Sequence, residues 1–211
     1  MSDLTSLRKR VSNEIFHSLE QHGFSRFRKS AVNWPFDSEF SAWVGINISS
    51  SNGVCYVIPN VGVHACLIEK TIHAIDGVGR YDRGIATFAV PLFSINENIE
   101  AEPPFSFTLE NDQHFLESES TRLSNMYLDV GLPAAKQLAS YEALAAELKP
   151  MCESLGLAPE RYTICLHKLG RDRELLDHLS WCENGEYSEY LASFARGFRE
   201  SIGLGKHDYS L

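Results

Sequence analysis

Three residues that could bind a metal or carry acid–base chemistry lie close together in the sequence. His64 and His73 flank Glu69 in the segment VHACLIEKTIHAI. On a helix, Glu69 and His73 would share a face because residues four apart are neighbours there, as two metal ligands can be. The HExxH pattern is absent, however, and Glu/His pairs at this spacing are common on solvated helix surfaces. We therefore predict no metal site and no cofactor.

A second polar group, Tyr81-Asp82-Arg83, follows the glycine-rich turn Asp76-Gly77-Val78-Gly79. Loops carry catalytic residues more often than cores do, which makes this group a candidate for general acid–base chemistry. The glycines do not form a phosphate loop, since neither GxGxxG nor GxxxxGK[ST] is present. Adjacent Asp and Arg residues are more often a surface pair in a turn. An enzyme of unknown class stays an alternative, with a site near His64, Glu69, His73 and Tyr81–Arg83.

The cysteines give no nucleophile signature. Their number is odd, and no two of them form a C-x-x-C pair. The GxSxG motif of a nucleophilic serine is absent as well. Cys165 and His167 are only two residues apart and would diverge on a helix. We predict no catalytic residue, and reduced, mostly buried thiols in a cytoplasmic protein. The five cysteines are Cys55, Cys66, Cys152, Cys165 and Cys182.

Acidic residues are concentrated in the middle of the chain. The formal net charge is −9, and no Lys or Arg occurs from Gly84 to Thr121. This stretch is a candidate surface for a basic partner, or else a solvated connection that keeps a long link soluble. The charge argues against direct binding of nucleic acid, which needs clustered basic residues. The candidate partner-binding residues are Glu97, Glu100, Glu102, Glu110, Asp112, Glu117 and Glu119.

Basic residues cluster near the N-terminus, as Arg8-Lys9-Arg10 and then Arg26, Arg28 and Lys29. We interpret these clusters as a solvated helix face and a loop edge. The first ten residues contain no apolar core of a secretory signal. No apolar run approaches the roughly 20 residues of a membrane helix, so we expect no membrane association.

A β-hairpin stands at the centre of the predicted fold. Apolar residues alternate over 42–49 and again over 54–59, which is the period of strands with one buried face. Asn52-Gly53 between them suits a turn with positive φ, and the serines before it predict a loop longer than two residues. Pro59 should end the second strand or place it at an edge, because proline cannot donate to a ladder. Trp34 and Trp43 should pack close by as core aromatics.

Helical spacing and strand alternation define the other elements. Leu4, Leu7, Val11, Ile15 and Leu19 form one helix stripe. Further helices are predicted over 65–75 and 115–128, the latter with Phe115, Leu123 and Met126 as core contacts. Further strands are predicted over 85–95, interrupted or placed at an edge by Pro91, and over 105–109. The final third is predicted as helices that start at Pro133, Pro159, Asp172 and Tyr187, the first of them ending at Lys149-Pro150.

These elements predict an α+β fold, with an antiparallel sheet of four or five strands, an N-terminal helix and a C-terminal helical bundle. Its length of 211 residues fits a single domain over 1–211. Within that domain, 1–112 would hold the N-terminal helix and the sheet, and 113–211 would be helical.

The order of features along the chain carries a resemblance. It combines the terminal helix, the Gly23-Phe24 step within a Gly-Phe-x-x-[FK]-[RK] pattern, the Trp43 strand, the Val61-Gly62-Val63-His64 step and a helical tail broken at Gly170. In this order the chain resembles a bacterial domain family of unknown function that is similar to polymorphic-toxin immunity proteins. The resemblance covers most of the chain and implies no catalytic residues.

The first hypothesis is therefore a small acidic cytoplasmic binding protein, an immunity protein that neutralises a cognate toxin by direct binding. Its partner would be a protein, with a basic toxin domain as the fitting type. The second hypothesis is the enzyme described above. A third is an adaptor that binds a peptide in an exposed apolar groove over 160–200. The oligomeric state stays open at this point.

Overall fold

A computed structural model describes residues 2–27, 31–77, 84–95, 105–184 and 188–204. The chain divides into two compact units. The sheet unit falls within residues 1–65 and 83–139, and the helical unit within 66–82 and 140–211. The predicted α+β class is confirmed. The single domain over 1–211 stays a prediction.

All strands of the sheet pair antiparallel. They follow the order β1-β2-β3-β4-β5, and β6 pairs with β4 beside β5. Five strands of at least four residues form the predicted sheet, and a two-residue strand extends its edge. The strands are β1 Ser25–Arg26, β2 Ala31–Pro35, β3 Phe40–Ser51, β4 Val54–Ala65, β5 Phe88–Pro91 and β6 Phe105–Thr108.

The predicted hairpin is confirmed as β3 and β4, which are longer than the sequence indicated. Ser51 pairs with Val54, so the loop contains only Asn52 and Gly53. The prediction of a longer loop was wrong. Both loop residues have positive φ, 51° and 83°, which matches the right-handed twist of paired strands and lets them turn in two residues.

Pro59 neither ends β4 nor lies at an edge of the described sheet, contrary to the prediction. On one side it pairs with Ile46 of β3. On the other side, β6 pairs with Val54–Val57 and β5 with Asn60–Val63. Pro59 therefore lies in the gap between the ends of β6 and β5. No residue of either strand pairs with it there, so its missing backbone N–H costs no hydrogen bond to them.

The helices include the predicted N-terminal helix and the C-terminal helical series. Their bounds are α1 Ser2–Gln21, α2 Cys66–Asp76, α3 Gln113–Met126, α4 Leu132–Gln137, α5 Tyr141–Leu155, α6 Pro159–Lys168, α7 Asp172–Asn184 and α8 Glu189–Ser201. The strand predicted over 85–95 is confined to Phe88–Pro91. A 3₁₀ turn, Leu92–Ser94, follows directly, so the strand ends at Pro91 and does not resume after it. A π-helical segment, Tyr127–Gly131, joins α3 to α4.

The core of the sheet unit lies between the sheet and the helices α1 and α3. The predicted stripe of α1 is buried at Leu7, Val11, Ile15 and Leu19. Tyr127 is fully buried in the same core, and its hydroxyl donates to the carbonyl of Gly45 at 3.0 Å. Burial raises the pKa of that hydroxyl, so it stays a donor at physiological pH.

Phe115 is not the core contact that the sequence predicted. Its side chain is 39% exposed, whereas Leu116 and Leu123 are buried. The Asp112 carboxylate accepts from the Phe115 amide at 2.8 Å, which places Phe115 in the first turn of α3. Leu116 and Leu123 are seven residues apart, so they share the helix face that packs into the core, and Phe115 lies to one side of that face.

The predicted helix ending at Lys149-Pro150 was also wrong. The Ser140 hydroxyl accepts from the Ala143 amide at 3.1 Å and starts a separate helix, α5. That helix continues through Pro150 to Leu155 and ends at Gly156, whose φ is 63°. Burial of Leu148 and Cys152 on either side of Pro150 offsets the backbone hydrogen bond that proline removes.

No helix in the described part of the chain is both long enough and apolar enough to cross a bilayer.

Candidate functional site

The predicted acidic residues fall into two groups. Glu97, Glu100 and Glu102 lie outside the described residues. Glu110, Asp112, Glu117 and Glu119 lie on the turn after β6 and on α3. Only the second group can be placed, and its members have different surroundings.

Asp112 and Glu119 both make contacts within the sheet unit. Asp112 caps α3, as described above. Glu119 accepts from the Arg122 guanidinium at 2.6 Å, and that guanidinium lies 4.1 Å from the centre of the Phe105 ring. Because Arg122 is stacked on the ring, the Glu119 carboxylate is held beside a fixed cation.

Glu117 is part of a bridge between α1 and α3. The side-chain amide nitrogen of Gln113 donates to Glu14 at 2.9 Å and to Glu117 at 3.0 Å. One neutral group therefore holds two carboxylates close together. Among the described residues, no Lys or Arg lies within 4.0 Å of either carboxylate.

Exposed apolar side chains occur on the same stretch of chain, at the turn after β6 and the start of α3. Leu109 is 51% exposed and Phe115 39% exposed, and Glu110 between them in sequence is exposed as well. The Phe115 ring packs edge-on against the buried Phe107 ring with centroids 6.1 Å apart. We call Glu14, Leu109, Glu110, Phe115 and Glu117 the β6–α3 surface. A large anchored aromatic side chain with a charged rim is typical of protein interfaces.

The residues of the enzymatic alternative are engaged in the fold. His64 is buried in β4, in the sheet unit, where its Nδ1 hydrogen-bonds the Ile85 carbonyl at 2.7 Å. Glu69 is buried in α2, in the helical unit, and accepts from two nitrogens of Arg161 at 2.8 and 3.2 Å. His73 lies one turn further along α2 and is half-buried. Tyr81–Arg83 lies outside the described residues.

The helical unit contains a cleft of about 320 Å³ between α5, α6 and α7. Lys149 at its rim lies 3.9 Å from Glu153 and 4.0 Å from Glu174. Arg171 donates to Glu174 as well, and this hydrogen bond lowers the pKa of the Glu174 carboxyl group. Lys149, Glu153, Arg171 and Glu174 thus pair with one another. The lining residues are Lys149, Cys152, Glu153, Tyr162, Glu174, Asp177, His178 and Trp181.

A histidine and a cysteine meet at this cleft without forming a nucleophilic pair. Cys182 Sγ lies 3.7 Å from His178 Nε2. The same nitrogen lies 3.2 Å from the Pro159 carbonyl oxygen, which can only accept, so Nε2 carries the hydrogen. It therefore has no lone pair with which to take a proton from the thiol. Burial also lowers the pKa of His178, which favours the neutral ring.

Burial favours the protonated form of the four buried thiols. All five cysteines are free, and each except Cys66 is buried. Burial raises the pKa of Cys152 to about 11 and the pKa values of Cys165 and Cys182 to about 12. Since the thiolate is the reactive form, these cysteines are poor nucleophiles at neutral pH.

Thiol reactivity should follow this burial. In native protein at about pH 7.5, we expect Cys66 to react with a disulfide reagent such as DTNB, and the four buried thiols to react at least about tenfold more slowly. Denaturation without reductant should expose all five. A Cys66→Ser variant should lose the fast phase and keep the slow one. A fast phase that survives in this variant would contradict the assignment of the buried thiols.

The geometry also bears on a metal site and on a peptide groove. The described residues contain no group of three or more His, Cys, Asp or Glu side chains arranged to hold a metal ion. Within the described part of 160–200, the exposed large apolar side chain is Tyr190, whose hydroxyl donates to Asp76 at 3.1 Å. The adaptor hypothesis stays a prediction.

Comparisons with protein-family models, with curated proteins and with solved structures found no match for this chain. The immunity resemblance therefore stays a prediction.

Proposed function

We propose that this chain is a bacterial immunity protein that acts in the cytoplasm and neutralises a basic toxin domain by binding it directly. The observation that carries the proposal is the β6–α3 surface. There, Glu14 and Glu117 are bridged by an amide without a described cation nearby. Leu109 and Phe115 are exposed at the end of β6 and the start of α3. A lysine or arginine of a partner would supply the missing positive charge between the two carboxylates.

Charge and apolar area would have separate roles at this surface. The net charge of −9 attracts a basic partner over a distance and raises its association rate by about 10–10³-fold. Phe115 would supply the contact that holds the complex together, because buried aromatic side chains dominate the affinity of interfaces. Its edge-on packing against Phe107 fixes the ring before binding, which reduces the entropy lost on association.

The enzymatic alternative has weaker support. It requires His64 and Glu69 to be available to a substrate, whereas both are buried and hydrogen-bonded within their own units. Binding through an exposed surface requires no rearrangement of either residue. The proposal thus uses side chains that are already accessible.

The proposal is tested by capture of a partner from the native host with the wild-type chain and with Phe115→Ala in parallel. We expect a basic protein that is enriched by the wild type alone and that arrests growth when expressed by itself. Co-expression of the wild-type chain should restore growth. A partner captured equally by both proteins, or one whose expression is harmless, would contradict the proposal.

Association kinetics should separate the two roles. In the triple variant Glu14→Gln, Glu110→Gln and Glu117→Gln, we expect the association rate at low salt to fall about tenfold, because exposed interface charges act mainly through steering. The difference should shrink at high salt, where charges are screened beyond about 8–10 Å. Phe115→Ala should instead raise the dissociation rate about tenfold.

A matched control carries the same loss of charge elsewhere. Glu142, Glu147 and Glu200 are exposed in the helical unit, and their replacement by Gln removes three charges as well. This control should retain most of the wild-type association rate. Equal rates in the two triple variants would show that only net charge matters and that the β6–α3 surface is not the interface. The same prediction extends to Glu97, Glu100 and Glu102, which lie outside the described residues.

A further inference from the structure

The first helix presents a polar and basic face beside its buried stripe. Thr5, Arg8, Lys9, Ser12 and Asn13 recur at helical spacing and line one side of a groove. None of them is acidic. In the described residues, neither Arg8 nor Lys9 has a carboxylate within 4.0 Å. Two cations thus face the groove from α1 in a chain whose net charge is −9.

The other side of the groove comes from β1 and β3. Arg26 of β1 lies with its guanidinium 4.6 Å from the centre of the buried Phe16 ring, which holds its orientation. Ile46 and Ile48 of β3 lie two residues apart, on the same face of the strand, and form an apolar floor. The sequence alone indicated two separate solvated clusters, whereas the fold brings Arg8 and Arg26 to one cavity of about 590 Å³.

We propose that this groove binds a small organic phosphate, with the phosphate among Arg8, Lys9 and Arg26 and the organic part over Ile46 and Ile48. The site is separate from the β6–α3 surface and does not depend on the proposed function. Its volume lies within the range of about 300–1,000 Å³ that is usual for small-molecule sites.

Phosphate fits this set of side chains better than a carboxylate does. Three cations around one cavity suit a group that carries close to two negative charges, and two of them are guanidinium groups that bind oxyanions through paired N–H donors. The hydroxyl group of Ser12 can donate to a further phosphate oxygen. The positive charge of Arg8 also acts on Cys55 of β4. Burial raises the pKa of that thiol, and the charge of Arg8 opposes part of the increase.

The test compares inorganic phosphate, phenyl phosphate and phenol by calorimetry and by thermal shift with the full chain at low salt. We expect phenyl phosphate to bind, inorganic phosphate to bind more weakly, and phenol not to bind. Arg8→Gln and Arg26→Gln should each weaken phenyl phosphate about tenfold or more, since each removes a charge-assisted hydrogen-bond donor. Ile48→Ser should weaken phenyl phosphate and leave inorganic phosphate unchanged.

Arg10→Gln is the matched control, because Arg10 is exposed on α1 and does not line the groove. It should bind phenyl phosphate as the wild type does. Equal weakening in Arg10→Gln and Arg8→Gln would overturn the proposal, as would a wild type that binds no phosphate compound.

Two further probes, a single-stranded oligonucleotide and phosphatidylcholine vesicles that contain a phosphatidylinositol phosphate, address other sources of phosphate. Binding of either without binding of phenyl phosphate would also overturn it.

Discussion

Replacement of Arg161 by methionine should lower the free energy of unfolding of the helical unit by about 3–5 kcal/mol, because it leaves a buried carboxylate without its partner. The Glu69 side chain is only 6% exposed, and both of its oxygens accept from Arg161. The apolar stem of methionine retains much of the packing of arginine but supplies no donor. Chemical denaturation followed by circular dichroism measures the loss.

Arg173→Met provides the matched control on α7. Arg173 is exposed, so the same change of side chain should alter stability by no more than about 0.5 kcal/mol. The double variant Glu69→Met/Arg161→Met should recover most of the stability, because apolar pairs often replace buried ion pairs without loss. A single variant as stable as Arg173→Met would show that the pair contributes little.

The parts of the fold that the sequence predicted are those set by local periodicity. The alternation in β3 and β4, the turn at Asn52-Gly53 and the stripe of α1 all appear where they were expected. Errors arose where tertiary burial outweighed a local signal. At Pro150, for example, the packing of the surrounding helix turns carries α5 past a residue that usually ends helices.

The candidate site was less accessible to sequence reasoning because it depends on contacts between distant residues. Gln113 and Glu14 are 99 positions apart, and Arg161 and Glu69 are 92 apart. No local pattern encodes either pairing. The sequence did identify the acidic stretch and the basic clusters. It could not indicate that Glu119 has a cation beside it, that Glu117 shares an amide with a carboxylate of α1, or that Arg8 and Arg26 line one groove.

Gly62→Ala should destabilise the sheet unit by at least about 3 kcal/mol, more than most overpacked sites, because the obstruction is backbone. A Cβ at Gly62 would lie 1.9 Å from the Phe88 carbonyl oxygen and 2.6 Å from the Ala89 Cα. Both atoms belong to β5, which pairs with β4 at this position. In an unobstructed strand the same change would stabilise by about 0.4–1 kcal/mol, so the sign of the effect is itself informative. Thermal unfolding measures it.

A second variant identifies the atom that is responsible. Ala89 also places its own Cβ 2.8 Å from the added methyl group, and Ala89→Gly removes that contact alone. If the Phe88 carbonyl is the obstacle, Gly62→Ala/Ala89→Gly should remain as unstable as the single variant. Recovery in the double variant would assign the clash to the Ala89 side chain.

Hydrogen exchange should show where the strain is relieved. The Thr87 amide, which donates to the Val63 carbonyl at 2.8 Å, should lose protection in Gly62→Ala, because β5 must separate from β4 to admit the methyl group.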